Sequence, residues 1–149
     1  MESRNFPDPE GLFNVEVPGH WLAETSGQGG IRVSFISPEE LDFRPNVNIV
    51  IQHVPPLTKE ECIVLNRLQL KRLSLSEELD RDELLDSGVH IFEWVKQQAP
   101  VPVWVRQQVV FAKNKAFTLT ATCHVEQCDD LLETFDSILN SFKVNHSNF

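Results

Sequence analysis

The chain has 149 residues, of which 41% are hydrophobic and 23% charged, and its formal net charge is −9. That length and balance fit one globular domain with a core at about residues 12–144, and apolar runs recurring from Phe13 to Phe142 argue against a disordered chain. The acidity argues against nucleic acid and against an anionic membrane surface, both of which recruit basic stripes, whereas Arg67, Lys71 and Arg72 form the one basic grouping here.

Asn5 to Gly11 is polar, carries Pro7 and Pro9, and reads as a loop. Leu12–Val17 then alternates, with Phe13, Val15 and Val17 on one side and Asn14 and Glu16 on the other, the period of two of a half-buried strand. Pro18-Gly19 ends it as a turn. Thr25 to Gly30 reads as a flexible turn, since Gly27, Gly29 and Gly30 lack the following helix that phosphate binding uses. Ile31–Ile36 is a second strand, Glu39 to Pro45 a loop, and Val47–Val54 a third strand closed by Pro55-Pro56.

Thr58-Lys59-Glu60-Glu61 is a capping box. The helix it opens is expected to reach about Leu75, with Val64, Leu65, Leu68 and Leu75 as its buried stripe. Ser76 to Asp86 carries Glu77, Glu78, Asp80, Asp82, Glu83 and Asp86. It reads as a solvated acidic linker, because a calcium loop needs ligand spacing and a central glycine that it lacks.

Three strands follow: Val89–Gln97, Val103–Lys113 and Ala116–Val125, the last two joined through Asn114-Lys115 as a tight hairpin. Gln127 to Phe142 is amphipathic, with Cys128, Leu131, Leu132, Phe135, Ile138, Leu139 and Phe142 at helical spacing. The order predicts an α+β fold: an antiparallel sheet of about six strands packed with two long helices on one side.

In the last strand Phe117, Leu119, Ala121 and Cys123 alternate with Thr118, Thr120, Thr122 and His124. With the first set under the terminal helix, Phe92, Trp94, Trp104 and Arg106 are expected beside the threonines. Two readings of that face are open. Exposed, the rings form a docking surface for an apolar helix or a second copy of the chain. Covered by loops or the N-terminal arm, they form a minor second core.

No catalytic constellation is evident. His20, His53, His90, His124 and His146 are scattered without the pairing of a zinc motif, and Cys123 and His124 point to opposite faces of one strand. Cys128 opens a helix yet lies on its apolar stripe, which favours a buried thiol over a nucleophile. The three cysteines, Cys62, Cys123 and Cys128, read as free thiols of a reducing compartment, a Cys123–Cys128 disulfide being the less favoured alternative. No apolar run nears the roughly 20 residues of a membrane span, and the leading residues hold no signal-like apolar core. A cytoplasmic protein without cofactor, metal or membrane insertion is expected.

Several segments resemble the PsbP and DcrB fold group, which includes the Ran-interacting Mog-type proteins. FNVEVPGHW, with Pro18 and Trp21, resembles the early strand of these domains. VNIVIQHV resembles their strand of an asparagine followed by alternating valine and isoleucine. VRQQVVFAKNKAFTLTATC resembles their late hairpin, and ILNSFKV, with Ser141 and Phe142, their closing helix. The resemblance runs from about Phe13 to Val144. It implies an antiparallel sheet flanked by helices, with a three-layer α/β/α arrangement as the alternative to two layers. It also implies a non-enzymatic role. Members include photosystem-associated proteins, lipoproteins, small-GTPase partners and chaperones of type VI secretion effectors, which dimerise and cradle transmembrane segments. Size and acidity match the chaperones, and no site residue is carried over.

The first expectation is therefore a non-catalytic protein-binding module, an adaptor or a chaperone for a secreted or membrane-inserting partner, with a homodimer as one form. The alternatives are a small-molecule or lipid carrier using the aromatic face, and an unrecognised enzyme using Cys128 or His124.

Overall fold

The computed structural model describes residues 2–25, 30–38, 43–73, 79–97, 101–112 and 114–145, with side chains for all of these but 69, 70, 72 and 73. In chain order the elements are β1 (Ser3–Pro7), β2 (Phe13–Pro18), β3 (Leu22–Glu24), β4 (Ile31–Ile36), β5 (Asn46–His53), α1 (Lys59–Leu73), β6 (Leu79–Leu84), β7 (His90–Lys96), β8 (Val103–Ala112), β9 (Lys115–His124), α2 (Cys128–Ser141) and β10 (Lys143–Val144). A 3-10 turn, Val125–Gln127, leads into α2.

Seven strands form one antiparallel sheet in the order β3-β4-β5-β9-β8-β7-β6, and β1-β2-β10 form a smaller one. The central β8–β9 hairpin pairs Ala112 with Lys115 at its tip and Val103 with His124 at its base. β5 lies along the other side of β9, with Val47 opposite Ala121 and Ile49 opposite Leu119. Strand alternation sends Val33, Phe35, Val47, Ile49, Phe117, Leu119, Ala121 and Cys123 to one face, where all are buried.

That face is covered by β2 and α2. Phe13, Val15 and Val17 of β2 and Phe135, Ile138 and Leu139 of α2 join the same core. Phe13 meets Phe117 edge-on at 6.5 Å, and Trp21 meets Phe135 edge-on at 6.4 Å. Phe6 of β1 meets Phe35 at 5.1 Å, so rings help hold the small sheet to the large one. Asp8, buried beneath the turn after β1, takes a two-pronged bond from Arg32 at 2.9 and 3.1 Å.

α1 lies against the opposite face, so the helices flank the sheet on both sides and the three-layer alternative is the one adopted. Asn66 of α1 reaches His90 of β7, and Arg67 reaches Asp82 of β6. The two-layer expectation fails because it placed both helices against one apolar face. α2 and the small sheet fill that face.

Two strands, β1 and β6, fall where a loop and a linker were read, and β3 and β10 lie in segments given no element. β1 and β3 are nearly all polar or exposed and pair at edges. β6 occupies the acidic segment read as a linker. Its charged side chains find partners across the ladder: Arg81 bonds Glu93 at 2.8 Å, and Asp82 bonds His90 at 2.6 Å. Charges along an edge strand also block further strand addition. Gly88, at φ 91°, turns β6 into β7, where a side chain would be strained.

Candidate functional site

The register separates residues that the alternation had placed together. Trp104 pairs with Cys123, and Arg106 with Ala121, so both project to the α2 side. Trp104 stacks on Phe135 with centroids 5.8 Å apart and planes at 17°. Arg106 is almost fully buried, bonds Glu93 at 3.1 Å and Asp136 of α2, and sits over the Trp104 ring at 5.2 Å. The expected grouping of Trp104 and Arg106 with the threonines is thus corrected. Strand β8 is buried on both faces, so alternation within it carried no sign, and the pairing to β9 decides.

Phe92 and Trp94 do share a face with Thr118, Thr120 and Thr122. They are not exposed: Phe92 is 0% and Trp94 5% accessible. With Val103, Val105 and Val109 they form a second, smaller core, against which Phe43 and Phe111 pack. Phe43 also stacks on His124 at 5.0 Å, and its carbonyl accepts from Gln127 Nε2 at 3.4 Å. The loop carrying Phe43 thereby covers the base of the hairpin. The three threonines are half-buried, and Thr120 Oγ1 lies 3.4 Å from Gln107 Nε2. Of the two readings of this face, the covered one fits the burial, and an open aromatic patch is ruled out for these rings.

What the face does present is α1. The helix is capped as its sequence predicts, with Thr58 N–H donating to Glu61 Oε1 at 3.0 Å and Glu61 N–H donating to Thr58 Oγ1 at 3.2 Å. Its expected buried stripe is turned the other way. Val64 and Leu68 are 57% and 54% exposed, Leu65 is half-buried, and Asn66 is the residue driven inward, at 4%. Leu75 lies outside the described residues. The helix is apolar around much of its girth, so periodicity alone could not tell inside from outside.

The inward contact is polar. His90, 1% exposed, places Nε2 2.6 Å from Asp82 Oδ1 and Nδ1 3.4 Å from Asn66 Nδ2. Asp82 also accepts from Arg67 at 3.1 Å. Burial alone would raise the Asp82 pKa; the bonds from His90 and Arg67 outweigh it and hold the carboxyl below the ordinary range. Thus α1 is pinned to β6 and β7 by hydrogen bonds that run from the buried Asn66 and His90 out to the exposed Arg67–Asp82 pair, and its apolar residues Val64 and Leu68 face outward. Together with Pro55, Leu57 and Leu65 they border an open groove of about 460 Å³, with Glu60 and Glu61 at one end. This groove is the feature that reading the sequence missed. The signal was present as a helix with more apolar positions than one buried stripe requires.

No reactive centre emerges from the cysteines. Burial, reinforced by Cys128, pushes the Cys123 thiol up to about 12. Burial and then Asp129 raise Cys128, and burial and then Glu61 raise Cys62. All three are free thiols. Among the described residues no group of three or more His, Cys, Asp or Glu side chains is placed to hold a metal ion, and no helix is long and apolar enough to cross a membrane.

No protein-family model and no curated protein matches the sequence. Solved structures do match. PsbP (CyanoP) of Synechocystis sp. PCC 6803 superposes with a TM-score of 0.68 at 17% identity, over 96% of this chain and 92% of that one. LpqN, involved in cell envelope biogenesis of Mycobacterium tuberculosis, gives 0.69 at 12% identity, over 97% and 91%. The Saccharomyces cerevisiae Ran-binding protein Mog1p gives 0.66 at 10% identity, over 99% and 98%. Agreement over nearly the whole of each chain, at such low identity, is a statement about architecture: the chain has the α+β fold of the PsbP/Mog1 type.

Proposed function

We propose that the chain is a non-catalytic protein-binding module that docks its partner on the outward face of α1. The observation that carries this reading is the pair Val64 and Leu68, more than half exposed on a helix whose polar Asn66 is buried. Burying a large aliphatic side chain stabilises a protein by about 1.5–3 kcal/mol. A helix that spends a buried position on asparagine and exposes a valine and a leucine therefore presents an apolar surface to something else. The groove beside it suits the helix-in-groove mode of recognition, in which apolar residues at helical spacing supply affinity.

The Ran-binding character of Mog1p, a protein of the same fold, supports a protein partner. An adaptor or chaperone role follows if the partner is a secreted or membrane-inserting protein whose apolar helix needs cover before delivery. Three unreactive free thiols fit a reducing, cytoplasmic setting. The test is a quantitative affinity purification with wild type and a Val64→Glu/Leu68→Glu variant as baits, the fold of each verified by circular dichroism. A partner enriched by wild type and lost by the variant is expected. Equal recovery on both baits would overturn the reading.

A further inference from the structure

We infer that one occupant of the α1 outer face is the same face of a second copy of this chain, laid antiparallel about a two-fold axis that crosses the outer face at the level of residue 66 along the helix. This rests on the docking reading above and adds the identity of an occupant. Helical spacing places Glu61, Val64, Leu68 and Lys71 of α1 on one stripe, each three or four residues from the next, and Leu57, just before the cap, borders the same groove. Asn66 and its bond to His90 lie on the opposite, buried side. The stripe is ordered along its length: acid at the N-terminal end, Val64 and Leu68 in the middle, Lys71 at the C-terminal end.

That order is self-complementary in one orientation only. Val64 and Leu68 are each two residues from position 66, and Glu61 and Lys71 are each five (66 − 61 = 71 − 66). In an antiparallel pair Val64 of each copy meets Leu68 of the other. Glu61 of each copy meets Lys71 of the other, so the ion pair occurs twice by symmetry. A parallel pair would set Glu61 against Glu61 and Lys71 against Lys71, and like charges reject it. The net charge of −9 repels two copies at long range. That repulsion is screened beyond about 8 Å at physiological ionic strength, so the contact charges decide orientation. The apolar residues supply the attraction, because exposed ion pairs contribute little.

From Glu61 to Lys71 the helix rises about 15 Å. Such a contact is smaller than the roughly 800 Å² per partner of a stable interface. The dimer is accordingly weak and exchanging, which leaves the face accessible to a foreign helix.

Sedimentation of the full chain over a wide concentration range in 0.15 M salt tests this. Wild type shows a reversible monomer–dimer equilibrium, and Val64→Glu/Leu68→Glu is monomeric throughout. Lys71→Glu and Glu61→Lys each weaken the dimer about tenfold. An equal mixture of those two single variants regains wild-type association, because each contact is again between opposite charges. Glu61 also caps α1, so Glu61→Gln, which keeps the cap and removes the charge, gives an intermediate loss. A wild type that stays monomeric, a dimer indifferent to Val64→Glu/Leu68→Glu, or a mixture that fails to recover would each overturn the inference. If wild type is monomeric while the double variant still loses its purified partner, the docking reading stands and the second copy falls. If the variant keeps the partner as well, both fall.

Discussion

Among the described residues, α2 and the small sheet enclose a core of seventeen buried residues on one face of the seven-stranded sheet; the buried cluster on the other face, against which Phe43 and Phe111 pack, has five. The first side is joined by interleaved rings, Phe13 to Phe117 and Trp104 to Phe135. On the second, α1 is held by Asn66, Arg67 and their polar partners. Apolar burial drives folding in proportion to area, whereas a hydrogen bond contributes about 1 kcal/mol net. The difference assigns stability to the α2 side and leaves α1 free to open, shift or bind without unfolding the sheet.

The contrast breaks most visibly at Phe135. It is fully buried between Trp21 and Trp104. Phe135→Ala is expected to cost about 3–5 kcal/mol, read as a drop in the denaturation midpoint of the whole chain. A substitution on the other side has a smaller and more local effect. Asn66→Ala leaves His90 Nδ1 buried without its donor, at a cost of about 1–3 kcal/mol. Hydrogen exchange should then accelerate in α1 and stay unchanged in α2. Equal acceleration in both helices would mean that the two sides form one cooperative unit.

Acid sharpens the same contrast. The folded-state pKa of Asp82 lies below its unfolded value, so its stabilising contribution is complete above about pH 4 and is lost as pH falls and the carboxyl protonates. Exchange in α1 should therefore rise below that pH before the α2 core gives way, while the Asp82 contribution stays flat between pH 5 and 8. The smallest expected effect is chemical. With burial holding the Cys123 thiol near 12 and Cys128 also raised, both should react with an alkylating reagent at pH 8 far more slowly than a free cysteine. Fast labelling of Cys128 in the folded chain would reopen the thiol-enzyme alternative.

The sequence made the α2 side legible because its signals were redundant. Phe117, Leu119, Ala121 and Cys123 alternate cleanly, and Phe135, Ile138 and Leu139 recur at helical spacing, so both elements point to a common core. Trp104 was misplaced because β8 is buried on both faces; its sign comes only from the pairing of Trp104 with Cys123. β6 was hidden because Leu79–Leu84 satisfies its charges with Arg67, His90 and Glu93 rather than by burial, and a linear pattern cannot show cross-strand partners. The candidate site was the least legible part. A helix apolar on two sides does not say which side the protein uses, and the inward turn of Asn66 depends on a histidine 24 residues away in sequence.

The central claim is that the working surface is the outside of α1 and not the ringed face of the sheet. Backbone and methyl chemical shifts, followed while the chain is concentrated or titrated with a purified partner, test it most directly. The account predicts perturbations concentrated at Leu57, Val64, Leu68 and Lys71, with Thr118, Thr120 and Thr122 unmoved. Perturbations centred on those threonines, with α1 silent, would contradict it.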